Sequence, residues 1–260
     1  GDLACEEGAE FTTSRHVLAA RKIAKPLEQQ VADRMIERRQ EYSLIVNSGN
    51  RIGRVNGLAV LGADSGLSDY SGIMLPVEAL VTPSLSSGGK VYATGGLSDL
   101  AKESVTNVSA VIKKLTGKDV SDYDIHIQFD DTHGVDGDSA SITIATAIIS
   151  ALENIPIRQD LAMTGSLSVR GEVLPIGGVT AKIESAAKSG IKTVVIPRAN
   201  AQDVLLDKQY ENIEVIAVDT LDEVMEQALL IGDKKTSLVE RLSAVIDRLT
   251  PDLSASGHLS

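Results

Sequence analysis

Short apolar runs separated by clusters of Gly, Asn, Ser and Asp fill the chain between residues 42 and 93. Runs of this length, bounded by turn-forming residues, are typical of strands. The pattern predicts strands at residues 43–46, 55–61, 72–81 and 90–93. We expect these strands to form a meandering sheet.

Apolar residues recur at helical spacing from Ser98 to Leu115, and Gly117 follows as a stop signal. One face of this predicted helix should be core: Leu100, Ala101, Val105, Val108, Val111, Ile112 and Leu115. Further helices are predicted at residues 139–152, around Lys182 and at residues 221–231. Further strands are predicted at residues 124–129, 161–169, 172–174, 193–196 and 214–218, of which the last two should be buried. The pattern predicts an α+β fold with mixed sheets and packed helices.

The two ends of the chain differ from its middle. Residues 11–39 are polar with scattered apolar positions, and Pro26 interrupts them, which predicts two helices or one kinked helix. From Lys234 an amphipathic helix is predicted as far as Pro251, followed by a Ser-rich tail. We therefore divide the chain into residues 1–39, a main domain over residues 40–232, and a C-terminal helix with a flexible tail over residues 233–260.

Composition narrows the class of protein. The chain has 260 residues, 43% of them hydrophobic and 23% charged, as in ordinary soluble globular proteins. A net charge of −11, five Tyr, two Phe and no Trp argue against nucleic-acid binding, which needs clustered cations and stacking rings. The single Cys5 cannot form an internal disulfide. No apolar run approaches the ~18–20 residues that span a bilayer, so a soluble, cytoplasmic chain is predicted.

A candidate nucleophile lies in the segment Asp136-Gly137-Asp138-Ser139-Ala140. This turn leads into an apolar, helix-compatible stretch, and a helix N-terminus offers backbone N–H groups that stabilise an oxyanion. Ser139 would then attack a carbonyl carbon. The alternative is that Ser139 only caps the helix.

A candidate base follows the turn Gly177-Gly178. Lys182 lies in a weakly charged stretch with Ile183 and Ala186 on the same predicted helix. A lysine serves as a base for serine only if its pKa, about 10.4 in water, falls to near neutrality, and burial in apolar surroundings has that effect. The alternative is a solvated lysine at the start of a helix.

Read together, these segments resemble the proteolytic domain of Lon proteases. In that family the nucleophile lies in Asp-Gly-x-Ser-Ala, which matches residues 136–140, and a lysine follows Gly-Gly at the start of the next helix, which matches Lys182. The segments at residues 163–165 and 190–197 also match. The resemblance covers about residues 40–232 and implies the Lon proteolytic-domain fold.

The resemblance implies a serine endopeptidase with a Ser139–Lys182 dyad. Thr164 would accept a hydrogen bond from Lys182 and orient its amine, unless backbone groups satisfy its hydroxyl. Asp136 would orient the lysine or brace the turn, although an aspartate in a turn is commonly an Asx cap. The amides from Gly137 to Ala140 would hold the oxyanion.

The resemblance also implies a larger parent protein. Residues 1–39 would be the end of the helical subdomain of an ATPase module and the linker that follows it; an orphan helix at a natural start is the alternative. The chain contains no Gly-x-x-x-x-Gly-Lys-Ser/Thr motif, so ATP and Mg²⁺ would bind to the missing module, and no cofactor or metal is expected in this chain. The expected partners are unfolded polypeptides and five further copies in a homohexameric ring that serves protein quality control.

Asp138 departs from the bacterial pattern of the family, which has proline directly before the nucleophile. An acidic residue there resembles the archaeal, membrane-anchored B-type Lon proteases, whose anchor would lie in missing parts. A carboxylate at Asp138 would pair with Lys182 and hold it protonated, which suggests a latch that substrate or assembly releases.

Three alternatives to this assignment remain. His126 and His133 invite a Ser-His triad, but we expect exposed or loop positions for both because Lys182 matches the position of the base. A Lon-like domain used only as a non-proteolytic, ring-forming scaffold would not need Ser139 and Lys182. A Ser/Lys amidase for small substrates would hydrolyse short amides but not unfolded chains.

Overall fold

The fold is described from a computed structural model of the chain. It describes residues 2–23, 30–31, 33–34, 36–37, 45–61, 71–85, 88–94, 98–129, 138–206, 208–210 and 212–230. The predictions for Pro26, for residues 43 and 44, and for the C-terminal helix and tail over residues 233–260 lie outside these residues.

Helices and strands follow one another in groups along the described chain. The helices are α1 (Asp2–Glu6), α2 (Ser14–Ile23), α3 (Ser98–Thr116), α4 (Ser141–Glu153), α5 (Val179–Lys188) and α6 (Leu221–Ala228). The strands are β1 (Asn50–Arg51), β2 (Arg54–Leu61), β3 (Ser71–Pro83), β4 (Val91–Thr94), β5 (Tyr123–Phe129), β6 (Ile157–Arg158), β7 (Leu161–Met163), β8 (Ser166–Leu167), β9 (Val173–Leu174), β10 (Thr193–Pro197) and β11 (Glu214–Val218). None of the helices in the described ranges is long and apolar enough to cross a membrane.

Seven strands form the main sheet, in the order β11-β10-β7-β2-β3-β5-β4. β2, β7, β10 and β11 pair in parallel, whereas β3 is antiparallel to both β2 and β5. The predicted meander is therefore wrong in one respect, because β5 lies between β3 and β4. β4 joins the sheet through a parallel pairing with β5, and such a pairing needs a crossover, which α3 provides.

Two apolar clusters lie on the two faces of the sheet. The larger cluster joins α3 and α4 to inward residues of β2, β3 and β5, such as Val55, Ile73 and Ile125. The smaller cluster joins α5 to Leu58 and Met74. Met74 lies one residue after Ile73 and Leu58 three residues after Val55, and an odd spacing along a strand places two side chains on opposite faces. The α+β fold with a mixed sheet and packed helices is thus confirmed.

Most predicted elements are confirmed with changed ends. Within α3 the predicted core face holds at Val105, Val108, Val111 and Ile112, which are buried, and Gly117 follows with φ of +71°. In β5 the predicted inward residues Ile125, Ile127 and Phe129 are buried. α6 ends at Ala228, earlier than predicted, because Leu229 leaves the helix and forms a bridge with Ile157.

Two strand predictions are wrong, and a third, at residues 214–218, has the predicted bounds but not the predicted burial. Ile45 and Val46 belong to no strand, and the carbonyl of Val46 instead accepts a hydrogen bond from the side chain of Asn56. β11 lies at the edge of the sheet, so only Val218 of its residues is buried. The single strand predicted over residues 161–169 is two strands, β7 in the main sheet and β8 in a two-stranded sheet with β9.

Candidate active site

Ser139 lies in a 3-10 turn, Asp138–Ala140, that leads directly into α4. Its residue is only 3% exposed. The N-cap of α4 is Ala140, which makes no side-chain cap hydrogen bond. Ser139 therefore precedes the N-cap position of α4, and the role of its side chain stays a prediction.

The break between β7 and β8 lies against this turn. The amide of Gly165 donates to the carbonyl oxygen of Ser139 at 2.9 Å, and the amide of Ile142 donates to the carbonyl oxygen of Gly165 at 3.2 Å. A Cβ on Gly165 would lie 3.0 Å from Cδ1 of Ile142 and 3.0 Å from Cγ1 of Val173. The strand is interrupted here because the closely packed backbone of Gly165 forms hydrogen bonds with the serine turn and the start of α4 instead of with a neighbouring strand.

Thr164 is fully buried between the turn and the sheet. Its amide donates to the carbonyl oxygen of Val195 on β10 at 3.1 Å, and its hydroxyl donates to the carbonyl oxygen of Ser139 at 3.3 Å. Thr164 and Ser139 are therefore in contact. The contact is a hydrogen bond from the Thr164 hydroxyl to a backbone carbonyl, which was the alternative predicted for this hydroxyl. A hydroxyl that donates one hydrogen bond still accepts others, so acceptance from Lys182 stays a prediction.

Lys182 is 1% exposed and belongs to the largest fully buried side chains of the described chain. Its helix, α5, lies against β2 and β3. The close approach depends on Gly72 of β3, where a Cβ would overlap the carbonyl oxygen of Ala181 and lie 2.9 Å from the amide nitrogen of Lys182. The solvated alternative for Lys182 is therefore wrong.

Ser139 and Lys182 approach the same end of the sheet from its two faces. β7 runs parallel to β2 and β10, with Met163 level with Gly57 and Val195, and both neighbours continue beyond it. The serine turn bonds to Thr164 and Gly165, directly after this end. Gly72, which lies against the backbone of Ala181 and Lys182, pairs with Val60 in the part of β2 that extends beyond the end of β7. Ligands of parallel sheets bind beyond the carboxyl ends of the strands.

The remaining predicted site residues are only partly described. Ala140 is buried directly before α4. Asp138 begins the 3-10 turn, but its side chain, and the whole of Asp136 and Gly137, lie outside the described residues. Their predicted roles stay predictions.

Two histidines were alternative candidates for the base. One lies on an exposed face of a strand, and the other lies outside the described residues. His126 is on the exposed face of β5, where its ring stacks on Tyr92 with centroids 4.6 Å apart. This confirms its expected exposed position, whereas His133 lies outside the described residues. Within the described ranges no group of three or more His, Cys, Asp or Glu side chains could hold a metal ion.

Sequence reasoning missed the polar residues that join β2 to the start of β7. The Asn56 side chain donates to the carbonyl oxygen of Gln159 at 2.9 Å, and the Gln159 side chain donates to the carbonyl oxygen of Arg54 at 2.9 Å. Before β7, the Arg158 guanidinium binds Asp160 and holds the pKa of that carboxyl below its usual range. The only available signal was a polar residue, such as Asn56, inside an otherwise apolar strand.

Comparison with known proteins identifies the family. The sequence profile of the Lon protease (S16) C-terminal proteolytic domain matches residues 28–231. An archaeal Lon protease of Thermoplasma acidophilum is 53% identical over 250 residues, covering 95% of this chain and 38% of that protein. Those of Pyrococcus abyssi and Archaeoglobus fulgidus are 56% and 55% identical over 246 and 244 residues, covering 93% of this chain in each case. The chain spans 24% and 38% of those two proteins. The chain therefore belongs to the family of Lon protease C-terminal proteolytic domains.

Proposed function

We propose that the chain is a serine endopeptidase with a Ser139–Lys182 dyad, the proteolytic part of an ATP-dependent Lon protease that degrades unfolded or misfolded proteins. The observation that carries the proposal is the burial of a serine and a lysine at one end of the central strands. A lysine amine removed from water favours its neutral form, which is the form that accepts a proton.

The proposed reaction proceeds through an acyl-enzyme. The Lys182 amine takes the proton of the Ser139 hydroxyl as Oγ attacks the scissile carbonyl, and the amides from Gly137 to Ala140 hold the oxyanion. The lysine then gives its proton to the leaving amine as the peptide bond breaks. Water, deprotonated by the same amine, releases the acid product and restores the serine.

Thr164 and Asp136 are proposed to orient Lys182, and extended substrate to pair with a sheet edge through its backbone. Backbone pairing recognises any unfolded chain and leaves sequence preference loose. It favours polypeptide substrates over small amides.

The decisive experiment labels the protein with a serine-reactive fluorophosphonate and locates the adduct by mass spectrometry. We expect the adduct on Ser139, none in Ser139→Ala, and normal labelling in Ser141→Ala, a matched change of another buried serine. Cleavage of unfolded casein should be lost with the label. A label elsewhere, or none under active conditions, would favour the non-proteolytic scaffold; hydrolysis of short amides without casein cleavage would favour a small-substrate amidase.

Asp138 is proposed to latch the resting site by pairing with Lys182. Asp138→Asn should then keep or raise the rate of peptide hydrolysis, because the amine loses the carboxylate that favours its charged form. A collapse of turnover in a folded Asp138→Asn protein would reject the latch. Asp136→Asn provides the matched control, with a lower rate expected.

The wider assembly is proposed on the family membership. Residues 1–39 would end an ATPase module that binds ATP and Mg²⁺, residues 40–232 would be the proteolytic domain, and residues 233–260 a C-terminal helix and tail. The parent would be a cytoplasmic homohexamer of the archaeal B-type, anchored to the membrane through parts outside this chain. Light scattering of the 260-residue chain should show six copies, and a monomer at all concentrations would contradict the ring.

A further inference from the structure

The end of α5 is tied to parts of the chain that precede the main sheet. The Asn47 side chain donates to the carbonyl oxygen of Ser189, the residue that caps α5, at 3.0 Å. One residue earlier, the Lys188 ammonium lies 2.7 Å from Oδ1 of Asp33, and both side chains are partly buried. Two separate segments therefore hold the last turn of the lysine helix.

Two buried hydroxyls continue from this tie towards Lys182. The Ser189 hydroxyl donates to the carbonyl oxygen of Ser185 at 2.8 Å, and the Ser185 hydroxyl donates to the carbonyl oxygen of Lys182 at 2.8 Å. Ser185 and Ser189 lie three and seven residues beyond Lys182, so all three share one face of the helix. Three hydrogen bonds, linked through the residues Ser189 and Ser185, thus connect Asn47 to the carbonyl oxygen of Lys182.

The segment around Asn47 is itself fixed to the strands of the site. The carbonyl oxygen of Val46 accepts from the side chain of Asn56 on β2 at 2.9 Å, and that of Gly49 accepts from the amide of Gln159 at 2.9 Å. Asn56 is buried and pairs with Ala162 of β7, the strand that leads to the serine turn. The segment from Val46 to Gly49 therefore contacts α5, which carries Lys182, and also the strands that lead to the Ser139 turn.

We infer that Asn47 is a positioning residue for Lys182, and that Asp33 assists it. The first turn of α5 already lies against Gly72 and has no room to move closer. The remaining freedom of the helix is at its far end, where Asn47 and Asp33 bind. Displacement of the chain before the sheet shifts Lys182 relative to Ser139 and changes the rate of hydrolysis from a distance. This inference rests on the proposed Ser139–Lys182 dyad.

The test compares Asn47→Ala and Ser185→Ala, which cut the path at two points, with Asn50→Ala, a nearby exposed asparagine. Changes along a coupling path alter coupling by about 0.5–2 kcal/mol, so kcat for a fluorogenic peptide should fall about 2- to 30-fold in both cut variants. KM should stay the same, and the pH of half-maximal rate should move in the same direction in both. Asn50→Ala should behave as the wild type.

A second measurement is independent of turnover. In a Ser139→Ala protein labelled with ¹³C-lysine, the ¹³Cε signal of Lys182 reports its titration by NMR, and Asn47→Ala should move the midpoint. An unchanged midpoint and an unchanged kcat, even with a lowered melting temperature, would overturn the inference and leave Asn47 a structural residue. A different result would contradict the proposed function itself: wild-type turnover in Lys182→Met. Should Asn47→Ala not fold, Ser185→Ala decides the outcome by the same two measurements.

Discussion

The two helices next to the site are held in different ways. α4, which follows the Ser139 turn, is enclosed by the larger cluster, and every residue from Ser141 to Ser150 is buried. α5, which carries Lys182, buries one face only, and Glu184, Ala187 and Lys188 are partly exposed. α4 is fixed by packing on all sides, whereas α5 is fixed by one face and by contacts at its two ends.

This difference suggests a division between a rigid and an adjustable half of the site. Close packing on all sides leaves α4 no second arrangement, because interiors have the density of organic crystals. A helix packed on one face moves at the cost of a few hydrogen bonds, each worth about 1 kcal/mol. We therefore expect changes in α4 to appear as lost stability, and changes around α5 to appear more strongly in activity.

The largest effect is expected when the Lys182 amine on α5 is removed. Lys182→Met keeps the length and buried volume of the side chain but removes the amine. Peptide hydrolysis should fall by a factor of about 10⁴ or more, the usual loss when a base of a catalytic unit is removed, while the thermal unfolding temperature stays the same or rises. Lys192→Met, an exposed lysine beyond the helix, is the control. Comparable losses of activity in the two variants would contradict the role of Lys182.

Matched core substitutions compare the two helices directly. Ile148 on α4 and Ile183 on α5 are both fully buried, the first in the larger cluster and the second in the smaller. Ile148→Ala should lower the free energy of unfolding by about 4 kcal/mol and Ile183→Ala by about 2 kcal/mol, because a one-sided helix moves to fill the cavity. Urea unfolding measures both values. A larger loss for Ile183→Ala would show that α5 is the more rigid helix.

The sequence was sufficient for what depends on local pattern. The alternation of Ile125, Ile127 and Phe129 predicted β5 and its inward face, and the stop at Gly117 predicted the end of α3. The motif around Ser139 predicted a turn before a helix, and a 3-10 turn is found there. Each of these features is decided by residues within a few positions of one another.

What depends on distant contacts was not predictable. The run over residues 161–169 mixes apolar residues with Thr, Gly and Ser, and the break into two strands coincides with the packing of Ile142 over Gly165. The position of β5 between β3 and β4 requires pairings between segments more than thirty residues apart. The tie between Asn47 and Ser189 joins residues 142 positions apart, and no local pattern marks either of them.

Two glycines of the sheet test which helix yields. A Cβ on Gly72 would overlap the backbone of α5, and a Cβ on Gly57 would lie 3.1 Å from Cγ2 of Thr143 on α4 and 2.6 Å from the carbonyl oxygen of Leu75. Alanine at either position should cost about 1–3 kcal/mol of stability through overpacking. Gly72→Ala should also lower kcat, because α5 moves away and takes Lys182 with it. If Gly57→Ala lowered kcat as much as Gly72→Ala for the same loss of stability, the two helices would not differ in how their movement affects activity.

The smallest effect concerns β7, the strand between the two helices. Arg158 binds Asp160 through two hydrogen bonds of 2.7 and 3.0 Å just before this strand, and the pKa of Asp160 is lowered by that contact. A lowered pKa in the folded state means that the ionised carboxylate stabilises the fold above the unfolded value of about 3.9, and that this stability is lost as the pH falls through the folded value. Asp160→Asn should therefore lower the free energy of unfolding by up to about 1 kcal/mol at pH 7, and the difference from the wild type should shrink below about pH 4. Urea unfolding at pH 7 and pH 3 measures it, with the exposed Glu226→Gln as control. Because the further hydrogen bond of this ion pair is to Thr193 of β10, the pH dependence of hydrolysis should stay unchanged above pH 5, and a displaced profile would mean that β7 transmits strain to the site.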